Sequence, residues 1–343
     1  HGQKCDQLPG WRDISNPEHR QYIAGVWGIQ EQELPGPGVD AYEMFRKIDR
    51  GEIKGLISIC FNPKVSLPDN AFITRCLEKL EFYTAIDFFL NDTAWHADVV
   101  LPGSLHEEDE GTVTQVEGRI IKVNKAVNCP GEAREDWRIV IDLARELGAQ
   151  WPDYGSVEDV WNEFADLAPL WSGIRYDRID EVGLQWPCVD RDDPGSVYLH
   201  SPHPARPNGK GRFFPVEYQP PIETPDSEYP FVLSTGRTLY HYNSATMTMR
   251  EPGMTDKQEE PFVEVNAEDA RALGIGDGDL VRLVSRRGEL EARASVGERV
   301  HPGLVWMALH FAQAKVNWLT HDVGDPLIGT PEYKVSAVRV ELV

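Results

Sequence analysis

The sequence predicts an α/β region followed by a mostly β region. Over residues 42–89, helical spacing of apolar residues alternates twice with β-branched runs: a helix at 42–48 precedes a strand at 56–59, and a helix at 71–80 precedes a strand at 83–89. Toward the C-terminus, short β-rich runs separated by turns replace this alternation. The first pattern is typical of a parallel α/β sheet, and the second of a barrel or a sandwich.

The α/β region is assigned to residues 1–150. Its strand–helix–strand order indicates a right-handed parallel unit. Residues 112–127 alternate as in a hairpin, and residues 136–147 form an amphipathic helix that Gly148 ends. The periodicity then weakens, and residues 151–228 are predicted to be an irregular connecting segment with one helical patch.

The β region is assigned to residues 229–343. Short strands at this spacing, with little helix between them, predict a β-barrel or a sandwich. The glycine-rich string GIGDG at 274–278 falls between a short helix and a β-rich run, so it is predicted to be a turn and not a phosphate-binding loop. The β-rich runs are 231–234, 262–265, 280–285, 289–296 and 303–308.

Composition argues against several classes of function. The chain has 343 residues, of which 41% are hydrophobic and 26% are charged, and this is enough for two domains with their own cores. Its 56 acidic residues outnumber 34 lysines and arginines, giving a formal charge of -22, so we expect no binding to nucleic acid or to anionic membranes. Since no apolar stretch approaches the roughly 20 residues of a bilayer-spanning helix, we expect no membrane span.

The cysteines and the N-terminus bear on cellular context. The five cysteines are scattered and form no CxxC pair, which fits free thiols in a reducing compartment and predicts a cytoplasmic location. The N-terminal string HGQKCDQLPGWRD has no initiator Met, no signal-peptide core and no obvious domain start. The string resembles the interior of a longer chain, so we expect a further N-terminal part of the same protein.

Small polar side chains lie at the ends of two strand-like runs in FYTAIDFFLNDTAWHADVVLP, residues 82–102. The first run ends in Asn91-Asp92-Thr93, and Asp98 opens the second. In an open α/β sheet, groups just past the carboxyl ends of the strands form the ligand crevice. Any strand–turn–helix–strand unit shows similar spacing, so a purely structural role is the alternative.

Two further strings combine polar side chains with loop-forming residues. In LSTGRTLYHYNSATMT, residues 233–248, Gly236 permits close approach of the backbone to a ligand, and the planar fork of Arg237 suits a phosphate. The alternative is a β-turn with a surface arginine. The string HFAQAKVNWLTHDVGDP at 310–326 needs partners for its polar groups if it is buried. A polar ligand would supply those partners, and an exposed loop is the alternative.

These strings together resemble one family. They are the 82–102 segment with EEDEGTVTQVEGR after it, TGRTLYHYNSATMT at 235–248, and the C-terminal pair HFAQAKVNWLT and PEYKVSAVRVE. They are similar to the molybdopterin oxidoreductases, which hold molybdenum or tungsten between two pterin guanine dinucleotides. The resemblance covers essentially the whole chain. It implies a parallel α/β dinucleotide-binding domain, of which residues 1–150 are the second half, and a C-terminal six-stranded double-psi β-barrel.

The resemblance also implies cofactor-binding residues. In the family, the loop after Gly236 lies along the pterin and its diphosphate, the C-terminal strings lie beside a pterin, and the strand ends form the guanine side. A cap for a turn is the structural alternative for Asp98, and Gln115 and Arg119 are weaker candidates. The residues carried over are Asn62, Asp87, Thr93, Asp98, Gly236, Arg237, His241, Ser244, Met247, Thr248, His310, Asn317, Tyr333 and Lys334. No catalytic residue and no metal ligand is assigned.

Within the family, three strings resemble formate dehydrogenase catalytic subunits, which oxidise formate to CO2 with transfer of two electrons. They are GLQWPC, GKGRFFPVEY at 209–218 and HYNSATMTMR. The strings NPKVSLPD and PGEAREDW are shared with assimilatory nitrate reductases, which are the second candidate. A non-catalytic nucleotide-binding or scaffold subunit is the third.

The implied cofactor is bis-molybdopterin guanine dinucleotide with molybdenum or tungsten. The family's [4Fe–4S] cluster and its metal ligand have no matching string in this chain, so we expect both in the missing N-terminal part. The expected partners are that N-terminal part, electron-transfer subunits and a small anionic substrate.

Overall fold

A computed structural model describes residues 4–198, 210–326 and 329–343. The chain forms two compact units: unit one takes in His1–Val39 and Pro102–Glu217, and unit two takes in Asp40–Leu101 and Tyr218–Val343. Gly209, the first residue of the GKGRFFPVEY string, lies outside the described residues. None of the helices in the described ranges has both the length and the apolar character that crossing a membrane requires.

Regular secondary structure confirms an α/β region followed by a β region. The strands are β1 (Gln7–Leu8), β2 (Arg12–Asp13), β3 (Gly55–Ile59), β4 (Phe82–Asp87), β5 (Val99–Pro102), β6 (Gly111–Thr114), β7 (Arg119–Val123), β8 (Leu184–Gln185), β9 (Phe231–Gly236), β10 (Phe262–Asn266), β11 (Leu280–Val284), β12 (Glu289–Gly297), β13 (Leu304–Ala308) and β14 (Ser336–Leu342). The helices are α1 (Pro17–Trp27), α2 (Ala41–Asp49), α3 (Pro63–Ser66), α4 (Asn70–Lys79), α5 (Asp136–Glu146), α6 (Val157–Leu167), α7 (Tyr176–Ile179), α8 (Pro252–Thr255) and α9 (Ala267–Leu273).

Unit one contains a small antiparallel sheet and several helices. β7 pairs antiparallel with both β6 and β8, which confirms the predicted hairpin, and α5 and α6 confirm two predicted helices. Helix α1 begins at Pro17 with Asn16 as its N-cap, and it ends at Trp27 with Gly28 as its C-cap, whose φ of 67° suits a glycine. Residues 151–228, predicted to be an irregular connection, supply α6, α7 and β8, and the predicted domain boundaries stay a prediction.

The α/β part of unit two is a three-stranded sheet in the order β3, β4, β5. β3 and β4 pair in parallel, which confirms the predicted parallel unit. One hydrophobic core joins α2 through Phe45, α4 through Ile73 and the sheet through Tyr83. β4 ends at Asp87 and not at residue 89, because the Asp87 carboxylate accepts the backbone N–H of Phe89 at 3.0 Å and turns the chain.

The β part of unit two is a closed barrel. Within the described residues, six strands close it in the order β10, β12, β11, β14, β9, β13. The pairs β10–β12 and β9–β13 are parallel and the other neighbours are antiparallel, an arrangement that fits the predicted double-psi barrel. Leu233, Leu283 and Val305 belong to its buried core. GIGDG is a turn, as predicted, since Gly274 ends α9 and Gly278 has a φ of 84°.

Two leucines on β11 provide a matched test of the barrel core. Leu283 is 0% exposed and Leu280 is 40% exposed. Leu283→Ala should lower the free energy of unfolding by about 2–5 kcal/mol, because it removes buried methyl groups and leaves a cavity. Leu280→Ala should cost less than about 1 kcal/mol. Urea denaturation measures both values, and equal losses for the two variants would contradict the assigned inward face of β11.

Candidate functional site

Three predicted residues at the strand ends form one hydrogen-bonded network. Thr93 Oγ1 donates to Asn62 Oδ1 at 2.7 Å, and Asn91 Nδ2 donates to Asp87 Oδ2 at 2.7 Å. Asn91 Oδ1 also accepts the backbone N–H groups of Thr93 and Ala94, both at 2.9 Å, which fixes the turn after β4. The network is buried, and it places amide and carboxylate groups at the carboxyl ends of β3 and β4.

Two loops of the barrel meet these strand ends through a polar seam. In this seam, Asn62 Nδ2 donates to Thr246 Oγ1 at 3.4 Å, and Asn317 Nδ2 donates to the Val65 carbonyl at 2.9 Å. Asn317 Oδ1 accepts the hydroxyl of Thr320 at 3.1 Å. The amide of Asn317, predicted to lie beside a pterin, thus forms hydrogen bonds to other protein groups. The seam fixes the barrel loops over the strand ends within unit two.

A cavity of about 220 Å³ opens between the turn after β4 and the 244–250 segment. Asp92 and Trp95 line one side, and Ser244 and Arg250 line the other. The walls therefore offer a carboxylate, an indole, a hydroxyl and a guanidinium. A flat apolar surface combined with a few polar groups suits a polar heterocyclic ligand. Ser244, a predicted cofactor residue, thus faces a cavity.

Two cations at the end of β9 form no ion pair within the part of the chain that the structure describes. Arg237 Nη2 donates to Asn243 Oδ1 at 3.0 Å, and Lys334 Nζ donates to the Thr235 carbonyl. Burial of its ammonium group, and then the charge of Arg237, lower the pKa of Lys334. The hydroxyl of Thr238 is buried and has no hydrogen-bond partner among the described residues. A bound anion would balance both charges and give this hydroxyl a partner.

Gly236 is required by its close approach to Trp306 on the neighbouring strand β13. A Cβ atom built on this residue would lie 2.5 Å from Nε1 of Trp306, far inside van der Waals contact. The sequence predicts a glycine here for the approach of a ligand, whereas the neighbour in contact is the indole of Trp306. Direct cofactor binding by Gly236 stays a prediction.

His241 and His310 hold the loop formed by residues 237–248. His241 Nε2 donates to the Gln258 carbonyl at 2.7 Å, and its Nδ1 accepts from Thr248 Oγ1 at 3.1 Å. His310 is fully buried and contacts the backbone of the same loop through both ring nitrogens. These three predicted cofactor residues therefore bond to other protein groups, and their contact with a ligand stays a prediction.

Tyr333 and Met247 are held through their backbone. The Tyr333 carbonyl accepts the Thr235 hydroxyl at 2.9 Å, and burial raises the pKa of the Tyr333 phenol to about 12. This phenol is therefore a neutral hydrogen-bond donor at neutral pH. Met247 precedes a 3-10 turn, and its carbonyl accepts the N–H of Arg250 at 2.9 Å.

Asp98 does not join the group at the strand ends. Its Oδ2 accepts the backbone N–H of Tyr83 at 2.8 Å, and Tyr83 lies near the start of β4, whereas Asp87 ends that strand. This contact supports the structural alternative for Asp98. The weaker candidates Gln115 and Arg119 belong to unit one, where the N–H of Gln115 donates to the Arg119 carbonyl at 2.8 Å.

Lys64, His96 and Lys315 form a basic cluster that reaches Asp92 through Lys315, and the sequence does not predict it. Lys64 Nζ lies 2.6 Å from His96 Nε2, and Lys315 Nζ lies 3.4 Å from Asp92 Oδ1. Burial, followed by the charge of Lys315, lowers the pKa of Lys64. Burial, followed by the charge of Lys64, lowers the pKa of His96. The cluster therefore adds positive charge beside a residue that lines the cavity.

Asn91 and Thr246 also belong to the candidate site, although neither is among the residues carried over from the family. An asparagine two residues before a threonine, as in Asn91-Asp92-Thr93, is typical of a turn closed by the asparagine side chain, so Asn91 has a local signal. Thr246 has none, because its partner Asn62 lies 184 residues away in the chain.

Protein-family models match both parts of the chain. The model described as "Molybdopterin oxidoreductase" matches residues 19–146, and the model described as "Molydopterin dinucleotide binding domain" matches residues 231–337. The chain belongs to the molybdopterin oxidoreductase family. The barrel and the 237–248 loop of this molybdopterin oxidoreductase chain thus lie largely within the stretch that matches the dinucleotide-binding domain model.

Relatives share both parts of this molybdopterin oxidoreductase chain. The assimilatory nitrate reductase catalytic subunit of Bacillus subtilis is 42% identical over 349 residues, which cover 99% of this chain and 49% of that protein. The F420-dependent formate dehydrogenase subunit alpha of Methanocaldococcus jannaschii is 42% identical over 308 residues, which cover 90% of this chain and 46% of that protein. The chain therefore spans about half the length of the curated relatives it matches.

A solved structure shares the fold. Acetylene hydratase from Pelobacter acetylenicus matches with a TM-score of 0.72 and 16% sequence identity, over 95% of this chain and 50% of that chain. At this identity the match supports the fold alone.

Gly236→Ala should lower the free energy of unfolding by roughly 1–3 kcal/mol, because its Cβ would overlap the Trp306 indole. Gly297→Ala is the matched control, since a Cβ there has no neighbour within 4 Å, and it should cost less than about 0.5 kcal/mol. Thermal unfolding compares the two. In combination with Trp306→Leu, Gly236→Ala should cost less than the sum of the single changes, and strict additivity would contradict the clash.

Proposed function

We propose that this chain holds a bis-molybdopterin guanine dinucleotide with molybdenum or tungsten in an oxidoreductase. The observation that carries the proposal is the pair of cations at the end of β9, Arg237 and Lys334, which form no ion pair within the described residues. Thr238 adds a buried hydroxyl without a partner there. In a chain of formal charge -22, such a site suits the diphosphate of a dinucleotide.

Different residues of the chain hold different parts of the cofactor. Arg237 and Lys334 hold the diphosphate, since a guanidinium and an ammonium donate charge-assisted hydrogen bonds to phosphate oxygens. Asp87 and Asn62, at the strand ends, offer a carboxylate and an amide to the edge of the guanine base. When bound, the cofactor supplies two-electron redox chemistry at its metal. Protein groups orient it for that chemistry.

For the substrate, we rank formate first and nitrate second. The strings GLQWPC, GKGRFFPVEY and HYNSATMTMR support formate. Nitrate is supported by the Bacillus subtilis relative, whose identity of 42% equals that of the formate dehydrogenase subunit. Each relative is named for one of these reactions, and about half of the length of each is matched.

Other parts of the oxidoreductase are proposed to lie outside these 343 residues. Because the chain covers 49% and 46% of the two relatives, we assign the metal ligand, the [4Fe–4S] cluster and the docking of electron-transfer subunits to the rest of the protein. The five cysteines, all within the described residues, form no disulfide there, which supports a reducing compartment, and we propose the cytoplasm.

GDP carries the guanine and the diphosphate of the dinucleotide, so the chain should bind it. Arg237→Ala should weaken this binding by roughly 10- to 150-fold, since a charge-assisted contact contributes about 1.5–3 kcal/mol. Isothermal titration calorimetry measures the affinity. Arg271→Ala, which changes an exposed arginine on α9, is the matched control and should leave the affinity unchanged. Equal affinities for Arg237→Ala and the wild type would remove Arg237 from the site.

The protein that contains this chain should oxidise formate with a viologen as electron acceptor. A parallel assay supplies nitrate and reduced viologen. Nitrate turnover without formate turnover would reverse the ranking of substrates. If neither anion reacts and the intact mass equals that of the 343 residues, the third candidate, a non-catalytic nucleotide-binding or scaffold subunit, replaces both.

A further inference from the structure

The imidazole of His310 bridges two points of the 237–248 loop. Its Nε2 lies 2.7 Å from the backbone nitrogen of Thr238, its Nδ1 lies 2.7 Å from the Asn243 carbonyl oxygen, and the residue is 0% exposed. We propose that His310 is a proton-sensitive latch, a positioning residue that holds this loop while neutral and releases its Thr238 end when protonated. The inference rests on the proposed function only where the loop is said to grip a cofactor.

The two partners of His310 fix its tautomer. A backbone N–H can donate but not accept, so Nε2 must present its lone pair to Thr238. A carbonyl can accept but not donate, so Nδ1 must carry its hydrogen toward Asn243. The neutral Nδ1–H form satisfies both contacts. A second proton would sit on Nε2 and face the N–H of Thr238, which removes that hydrogen bond and opposes two donors.

The groups that face His310 disfavour a second proton. The ring of His241 lies edge-to-face with its ring centroid 5.7 Å away, and Arg237 adds a positive charge to its surroundings. Asp92 and Arg250 line the same cavity as His310 and carry opposite charges. The neutral form is therefore the one that this environment supports.

The sign of the pH effect follows from these contacts. Burial lowers the pKa of His310, the Asn243 carbonyl opposes this shift, and His241 and Arg237 add to it. Because the pKa is lower in the folded chain than in the unfolded chain, the stabilisation from the neutral form is complete above about pH 6.5 and is lost as the pH falls below that value. The loop is thus latched at neutral pH and released in acid.

Release of Thr238 weakens the proposed contact between Arg237 and the diphosphate. Arg237 directly precedes Thr238, so its guanidinium loses a fixed backbone when the latch opens. The far side of the loop has separate contacts, from His241 to Gln258 and Thr248. Protonation of His310 therefore loosens the end of the loop that carries Arg237.

Amide hydrogen exchange at Thr238 tests the latch directly. In the wild-type chain, the protection factor of the Thr238 N–H should fall about tenfold between about pH 7.5 and about pH 4.5. In His310→Gln, whose amide both donates and accepts but does not titrate in this range, protection should not change with pH. His301→Gln, which changes an exposed histidine of the barrel, should respond as the wild type does. A pH-independent wild type, or a pH response that persists in His310→Gln, overturns the latch.

GDP binding over the same pH range separates the latch from the proposed function. The affinity of the wild type should fall about tenfold more than that of His310→Gln, and this comparison cancels the titration of the GDP phosphate itself. If Thr238 exchange responds as expected but GDP binds at neither pH, the latch stands and the cofactor proposal fails. If GDP binds and its affinity changes equally in both proteins, the cofactor proposal stands and the latch does not control the grip.

Discussion

Buried polar groups at the ends of β3 and β4 constrain the rest of unit two, because each of them needs a partner. Asn62 and Thr93 satisfy each other, and Asn62 also reaches Thr246 on a barrel loop. Asn317 reaches Val65 from a second barrel loop. Loss of any of these contacts leaves a buried group unpaired, at a cost of about 1–3 kcal/mol. The polar seam therefore selects one arrangement of strand ends and loops, and the cavity and the 237–248 loop take their geometry from it.

The two cations at the end of β9 differ from the polar seam, because their charges have no partner of opposite sign among the described residues. The seam is satisfied by the protein itself, whereas Arg237 and Lys334 form no ion pair within the part of the chain that the structure describes, and burial and the charge of Arg237 lower the pKa of Lys334. Folding alone does not explain why two like charges lie close together in an acidic chain. A multiply charged anion explains it, since its binding converts repulsion between the cations into attraction toward one ligand. The buried hydroxyl of Thr238 fits the same explanation, because it still has a hydrogen bond to offer.

The sequence predicts the fold where local pattern and burial agree. The helical spacing around Phe45 is visible because one face of α2 is buried against the sheet. The end of β4 is misplaced, since the apolar run continues to residue 89 while the Asp87 carboxylate already turns the chain. A polar side chain at a strand end, such as Asn62, is visible in the sequence, but its partners are not. Thr246 lies 184 residues from Asn62, and no local pattern encodes a contact over that distance.

The proposed cofactor grip also explains why relatives named for different reactions are equally similar to this chain. The nitrate reductase subunit and the formate dehydrogenase subunit are both 42% identical to it. Different substrates place different demands on the residues that recognise them, but the same demands on the residues that hold a shared cofactor. A diphosphate grip, a strand-end network and a fixed barrel loop meet those common demands. Because the cofactor carries the redox chemistry, a change of substrate then needs changes around the metal and not in the groups that hold the dinucleotide.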